Sequence, residues 1–406
     1  MRRSLPDLKQ RRMRFGVIVA SVIAALLMVL PHLDLLGGGI IPIGQALVPT
    51  AITLILLSVV IVVLINSARL ARFRYLDRKR WRRKIRGIAG AQPVGLRQPV
   101  ELPNRPHASW WLIPLILATG ATIGAVPVLN RQQPDWATPD LPRQSIKVLS
   151  LNVQFSGADV AALRDVMAAH EPQIVIFLEV DEDFLTRLAA TGALDLTWPL
   201  AYRTGSTSSA SSGASGTIIL SAWPLSELGE VPSVGWPGND SGFMQPTATV
   251  SIPDSNDVRL AAVHPPPPVI AGAQPWRDGL REIADWLVSE SVKTPAGLII
   301  AGDFNASTAH PAFRDKVAGL SNTAVAARHL PTWVPIGANV SRFSDPPQVA
   351  GYFPIPTWPA NSLMPPFTAI DHILVRYLWP ANWHRFSVPG TDHYGVIAEV
   401  LILRTG

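Results

Sequence analysis

Hydrophobic positions follow two regimes along the chain. Early on they form long charge-free runs at about 15–33, 46–65 and 110–129. A helix needs about 20 such residues to cross a bilayer, so the pattern predicts three transmembrane helices. The first run is the shortest and also suits a signal peptide, but no small-x-small cleavage site follows it. From Ile146 onward the runs shorten to strand length: Ile146–Val153, Ile174–Leu178, Thr217–Ser221, Thr247–Ile252, Val258–Val263, Gly297–Ala301, Ile370–Val375 and Val396–Leu403. Asp159–Ala169 and Trp276–Val288 instead repeat their apolar residues at helical spacing.

Many strands with a few interleaved helices predict an α+β domain over 146–406, with two packed sheets flanked by helices. The proline-bearing stretch 130–145 reads as a stiff linker between the membrane region, 1–129, and this domain. The tract Thr204–Gly216, made only of Gly, Ser, Thr and Ala, is expected to be a flexible loop.

Composition agrees with the two regimes. Across 406 residues, 48% are hydrophobic and 16% charged, too few charges for a wholly soluble protein. The chain has no cysteine, which excludes disulfides, thiolate metal sites and a cysteine nucleophile. Its net charge of +6 is divided unevenly: residues 1–109 carry 18 Lys/Arg against 4 Asp/Glu, and the remainder 17 against 25. Six basic residues precede the first apolar run, none lies between the first and second, and 12 fall in 67–109. Positive loops stay in the cytoplasm. The expected topology is therefore a multi-pass cell-membrane protein with a cytoplasmic N-terminus, a basic cytoplasmic loop at 67–109 and an extracytoplasmic C-terminal domain.

Candidate chemistry gathers where strands end. Asn152 follows the run that starts at Ile146, Glu179 follows Ile174–Leu178, and His264 follows Val258–Val263. Gly302-Asp303-Phe304-Asn305 closes another run, Asp371 opens the next, and Thr391-Asp392-His393 precedes the last. Singly, each is a turn former, helix cap or loop residue. Together, acids, amides and imidazoles on one sheet rim make a hard-cation site with bases beside it. Asp303 and Asn305, two residues apart, would face the same way if their segment is extended. Trp333 and Trp358, each after a Thr in proline-bearing loops, are candidates for the substrate mouth or for packing.

The order of these motifs resembles the endonuclease/exonuclease/phosphatase superfamily, which includes DNase I-like nucleases, inositol-polyphosphate phosphatases and bacterial sphingomyelinases. The resemblance spans roughly Ile146–Leu403. It departs from the family at Leu178, where Gln usually precedes the Glu, and at Thr391, where Ser is usual. No second Glu is evident as a partner for the mid-domain His264.

The resemblance implies a four-layer α/β/β/α sandwich of two mixed sheets and a metal-dependent phosphoesterase. Glu179, Asn152 and Asp392 would then hold Mg2+ or Mn2+. Asp303 would orient or deprotonate the attacking water, and Asn305 would donate to a phosphoryl oxygen. His393, held by Asp371, would form a second proton-handling unit, and His264 would donate to developing charge. The substrate would be a nucleic acid, a phospholipid headgroup or a small phosphoester. The acidic C-terminal part weighs against a duplex-gripping surface. A DNase-like endonuclease and a non-catalytic binding domain on the same fold stand as alternatives.

Overall fold

The computed structural model describes residues 15, 18–19, 22–24, 26–34, 38–88, 109–129, 143–208, 215–235, 242–269, 272–293, 297–326 and 355–405. The chain divides into two compact units, one of Met1–Leu30 with Ala51–Val126, the other of Pro31–Thr50 with Pro127–Gly406.

In the N-terminal part, a short helix α1 (Ile40–Ala46) precedes α2 (Val48–Ile88) and α3 (Ser109–Leu129). Among the described residues, only the Val48–Arg82 stretch of α2 is long and apolar enough to cross a membrane. That corrects the expectation of three spans. The apolar stretch described in α3, Trp111–Val126, is shorter, and the run at about 15–33 lies partly outside the described residues. The basic segment expected as a loop from residue 67 also differs, because α2 runs through it without a break to Ile88. Its Arg, Lys and Leu residues favour helix strongly, so nothing local ends the helix where the charges begin. Residues 89–108 and 130–142, with most of the expected linker, lie outside the described residues, as does Trp333.

The C-terminal part is built on two six-stranded mixed sheets. The first runs in the order β11 (Trp379–Ser387), β12 (Tyr394–Leu403), β1 (Arg143–Asn152), β2 (Ile174–Leu178), β4 (Thr217–Ser221), β3 (Tyr202–Ser206). The second runs β5 (Leu225–Glu230), β6 (Pro246–Val250), β7 (Val258–Val263), β8 (Gly297–Asp303), β10 (Asp371–Arg376), β9 (Ser321–Asn322). Each contains one parallel pair, β1 with β2 and β7 with β8, in otherwise antiparallel surroundings. Helices α4 (Val160–His170) and α5 (Glu182–Ala190) cover the first sheet, and α6 (Gln274–Ser291) and α7 (Pro311–Lys316) cover the second. A short helix, α8 (Thr323–Ala326), follows β9.

Side-chain alternation explains the layers. On β1 and β2, Ile146, Val148, Ile174, Ile176 and Leu178 point into the space between the sheets. Their neighbours Leu149, Leu151, Val175 and Phe177 point toward α4 and α5, against Leu163, Met167 and Phe184. In the second sheet Leu260, Ala262, Ile299, Ala301, Ile373 and Val375 face inward. Ala261, Ile300 and Leu374 instead pack on Trp276, Ile283 and Phe313 of the covering helices. Strands buried on both faces read as continuous apolar runs, as this sequence does.

The tract expected to be a loop from Thr204 is partly strand. Its first residues complete β3, which pairs with β4 through Gly205 opposite Ile218. A Cβ on Gly205, which sits at φ 102, would lie 2.2 Å from the Thr217 carbonyl oxygen. Small residues there permit close pairing rather than signalling disorder.

Candidate active site

The same alternation carries polar residues to one place. Counting by twos along the inward face, Ile146 and Val148 lead to Asn152, Leu260 and Ala262 to His264, and Ile299 and Ala301 to Asp303. On β10, Asp371 shares parity with Ile373 and Val375, and it stands directly opposite Asp303 in the ladder. Each therefore ends its strand at the rim between the sheets. His372, one residue on, points the other way, stacks on Phe313 and bonds Ala306 O through Nε2 at 2.8 Å.

Glycine makes this rim possible at Gly302. Its φ is 147, and a Cβ there would sit 2.0 Å from the Val263 carbonyl oxygen. The close approach joins the β7 end, carrying His264, to the β8 end, carrying Asp303.

The imidazole of His393 bridges two acids. Its Nδ1 lies 3.1 Å from Asp371 Oδ2, and its Nε2 lies 3.6 Å from Asp303 Oδ2 and 3.7 Å from Asp392 Oδ1. His264 Nε2 faces Asp303 Oδ2 at 3.8 Å and Glu179 Oε1 at 3.9 Å. Asn152 Nδ2 donates to Glu179 Oε1 at 2.9 Å and approaches Asp303 Oδ2 at 3.4 Å. Seven of the eight expected site residues thus form one connected cluster. The eighth, Asn305, sits at its edge.

Two local expectations change. Asn305 lies beyond the end of β8 at φ 48, so the extended-strand argument for its direction fails. Its backbone N–H instead donates to Asp303 Oδ1 at 2.8 Å, closing an Asx turn, and its side chain donates to Pro265 O at 3.0 Å. Asn152, expected as an oxygen donor to a metal, presents its NH2 to the carboxylates while its Oδ1 accepts from Gln154 N at 2.9 Å. Here it acts as a clamp on Glu179.

Electrostatics follow from burial. Desolvation pushes the Asp303 carboxyl up to about 7 and also raises Glu179, which the Asn152 hydrogen bond opposes. Desolvation pulls the His264 imidazole down to about 3, so it is neutral. Its Nδ1 is buried with no hydrogen-bond partner among the described residues, which leaves the proton on Nε2, facing the acids. Burial also opposes charge on His393, but the Asp371, Asp303 and Asp392 carboxylates outweigh it and push the imidazole up to about 10.

The donor set fits a divalent cation. Four carboxylates, those of Glu179, Asp303, Asp371 and Asp392, converge on one rim and supply the oxygen donors that a hard divalent cation takes. The tightest ligand-capable group is Asp303, Asp371 and His393, whose atoms lie within 4.8 Å of one another. It differs from the expected set of Glu179, Asn152 and Asp392, which surrounds it.

Further residues support the site. Thr391 Oγ1 donates to Asn152 O at 2.7 Å and accepts from His393 N at 3.1 Å, tying the first sheet to the catalytic loop. Thr357 Oγ1 accepts from Asp371 N at 3.1 Å. Gln245 Oε1 accepts from His264 N at 3.1 Å, and Phe243 packs on that ring. Trp358, a candidate for the mouth, donates its indole N–H to Asp392 Oδ2 at 3.0 Å. Two of these carried an advance signal, Thr391 within Thr391-Asp392-His393 and Trp358 in its Thr-Trp-Pro context; Thr357, Gln245 and Phe243 lacked any motif.

A family model described as the Endonuclease/Exonuclease/phosphatase family matches residues 149–393. No curated protein matches the chain. Among solved structures, an endonuclease/exonuclease/phosphatase from Beutenbergia cavernae is 19% identical, with a TM-score of 0.47, covering 64% of this chain and 72% of that one. D. rerio TDP2 complexed with single strand DNA product is 14% identical, with a TM-score of 0.46 and coverages of 63% and 99%. A mannosyl-6-phosphatase from Bacteroides thetaiotaomicron is 15% identical, with a TM-score of 0.45 and coverages of 63% and 99%.

Proposed function

Since the chain belongs to the endonuclease/exonuclease/phosphatase family and is a hydrolase of phosphoester bonds, we propose that it is a membrane-anchored, outward-facing, metal-dependent phosphoesterase. The observation that carries this reading is the His393 bridge between Asp371 and Asp303 at the inter-sheet rim, with Glu179 and His264 facing it.

Glu179 and Asp392 would hold Mg2+ or Mn2+. Such an ion supplies Lewis-acid polarisation of the phosphoryl group and leaving oxygen when bound. Asp303 accepts the proton of the attacking water, since its buried carboxyl is tuned near neutrality. His393 keeps its own proton among three carboxylates and is the positive partner to the phosphoryl oxygens. Asp371 orients that imidazole from behind. His264, neutral with its Nε2–H toward the site, donates to the developing charge, and Asn305 fixes Asp303 through its backbone N–H.

The segment 31–50 supports the membrane topology. Asp34 pairs with Arg277, and His310 Nε2 meets Pro42 O at 2.9 Å. We read a segment that packs on the catalytic domain just before α2 as lying on the domain's side of the bilayer, with the basic residues after the apolar stretch of α2 on the other.

The test is hydrolysis of an aryl phosphodiester by the full chain in detergent across a panel of divalent ions. Activity with Mg2+ or Mn2+ that vanishes on chelation is the expected result. Full activity in excess chelator would overturn the metal assignment, and none with any ion or phosphoester would favour the non-catalytic alternative.

A further inference from the structure

One loop joins the candidate active site to Thr50, within a single compact unit of the chain. Trp358 and Thr368 close it as a backbone bridge, with Trp358 N bonded to Thr368 O at 3.0 Å and Phe367 N to Trp358 O at 3.0 Å. Its base is fastened to the catalytic loop. Trp358 Nε1 holds Asp392 at 3.0 Å, Ala360 N donates to Asp392 O at 2.6 Å, and Asn361 Nδ2 donates to Val388 O and Thr391 O at 2.8 and 2.7 Å. Its far side is fastened to Thr50, whose Oγ1 donates to Phe367 O at 3.1 Å. Thr50 is the third residue of α2, so it stands at the outer end of the apolar stretch that starts at Val48.

The tip of this well-tied loop buries nothing. Leu363 is 107% exposed and Met364 57%. No charged residue occurs from Thr357 to Ile370. Adjacent exposed apolar side chains on a tied loop, next to the exposed but uncharged Asn361 and Ser362, mark an interaction surface. A second apolar face lies on the same tethered segment: α1 buries Pro42 and Gln45 and leaves Ile40 and Ile43 exposed, with Leu47 exposed just after the helix.

The geometry points to a membrane-seating loop: Leu363 and Met364 enter the interfacial layer of the outer leaflet, next to the point where α2 enters the bilayer. The occupant is lipid, because the covalent path from Thr50 into the apolar helix keeps this loop within a few residues of the bilayer surface. The inference rests on the membrane-anchored reading of the function. Through Trp358 and Asp392 it sets the mouth of the active site at headgroup level, where phosphoesters presented by the membrane have first access.

The absence of cysteine in the native chain allows a direct test. Full-length Leu363→Cys and Val292→Cys variants are labelled with an environment-sensitive fluorophore and reconstituted into phosphatidylcholine/phosphatidylglycerol vesicles, with and without spin-labelled lipid. Val292, 82% exposed at the end of α6, is the water-facing reference. The Leu363 probe is expected to emit at shorter wavelength and to lose most of its emission to the quencher lipid, while the Val292 probe does neither. Equal exposure of both probes in a chain that resists carbonate extraction overturns the loop assignment and leaves the membrane reading standing. Extraction of the chain by carbonate overturns both.

Discussion

The two sides of the candidate site are held by different means. On the floor, Asn152, Asp303 and Asp371 are at most 3% exposed and stand at strand ends, each fixed by a backbone ladder. On the outer rim, the Asp392 side chain is 35% exposed and hangs on a loop, steadied by the Trp358 indole. Ladders fix direction through many shared hydrogen bonds, so no single contact there is decisive. A loop carboxylate depends on one or two partners. The floor is therefore suited to proton handling, which tolerates little displacement, and the rim to steps that admit exchange of ion, substrate and product.

Removing the metal should break both sides at once. Excess chelator is expected to bring phosphodiester hydrolysis by the full chain to background, with recovery on adding Mg2+ or Mn2+; a rate assay over the ion series checks it. On the floor alone, Asp303→Asn and His393→Ala should each lower kcat by at least about a hundredfold. Circular dichroism should show both variants folded. A folded variant with near wild-type kcat would remove that residue from the mechanism.

Gly302→Ala tests whether the ladder itself supports the floor. Its positive φ and the 2.0 Å approach to Val263 O leave no room for a methyl group. A loss of about 3 kcal/mol in stability is expected, read as a fall in Tm of the purified chain. Trp358→Phe tests the rim, because it keeps the ring and deletes the N–H. Activity should then require about tenfold more Mg2+ for half-saturation, with kcat at saturation little changed; an unaltered metal titration would make the indole a packing residue only. The smallest effect is expected at the loop tip, where Leu363→Ser should leave hydrolysis of a soluble phosphodiester unchanged.

Legibility in the sequence tracked burial. Strands such as β2, β4 and β8, buried on both faces, stood out as unbroken apolar runs. The edge strands did not. Most of β5 is exposed, and β11 carries Pro380, Asn382 and a register shift between them. Such segments become strands because a neighbour pairs with them, and their own residues do not signal it. α5 was missed because its nine residues are too few for a periodic signal, although Asp181 caps it through the Phe184 N–H at 2.7 Å.

By itself the sequence determined which polar residues follow strand-length apolar runs, and that the early part is apolar and basic while the rest is acidic. These are local properties, set by side-chain volume, charge and a period of two. Tertiary structure alone decided that His393 lies between Asp371 and Asp303, that Asn152 clamps Glu179, and that Thr50 reaches Phe367 across 317 positions. Contacts of that kind depend on how two sheets stack and which loops they bring together. No periodicity within one segment encodes the position of another segment hundreds of residues away.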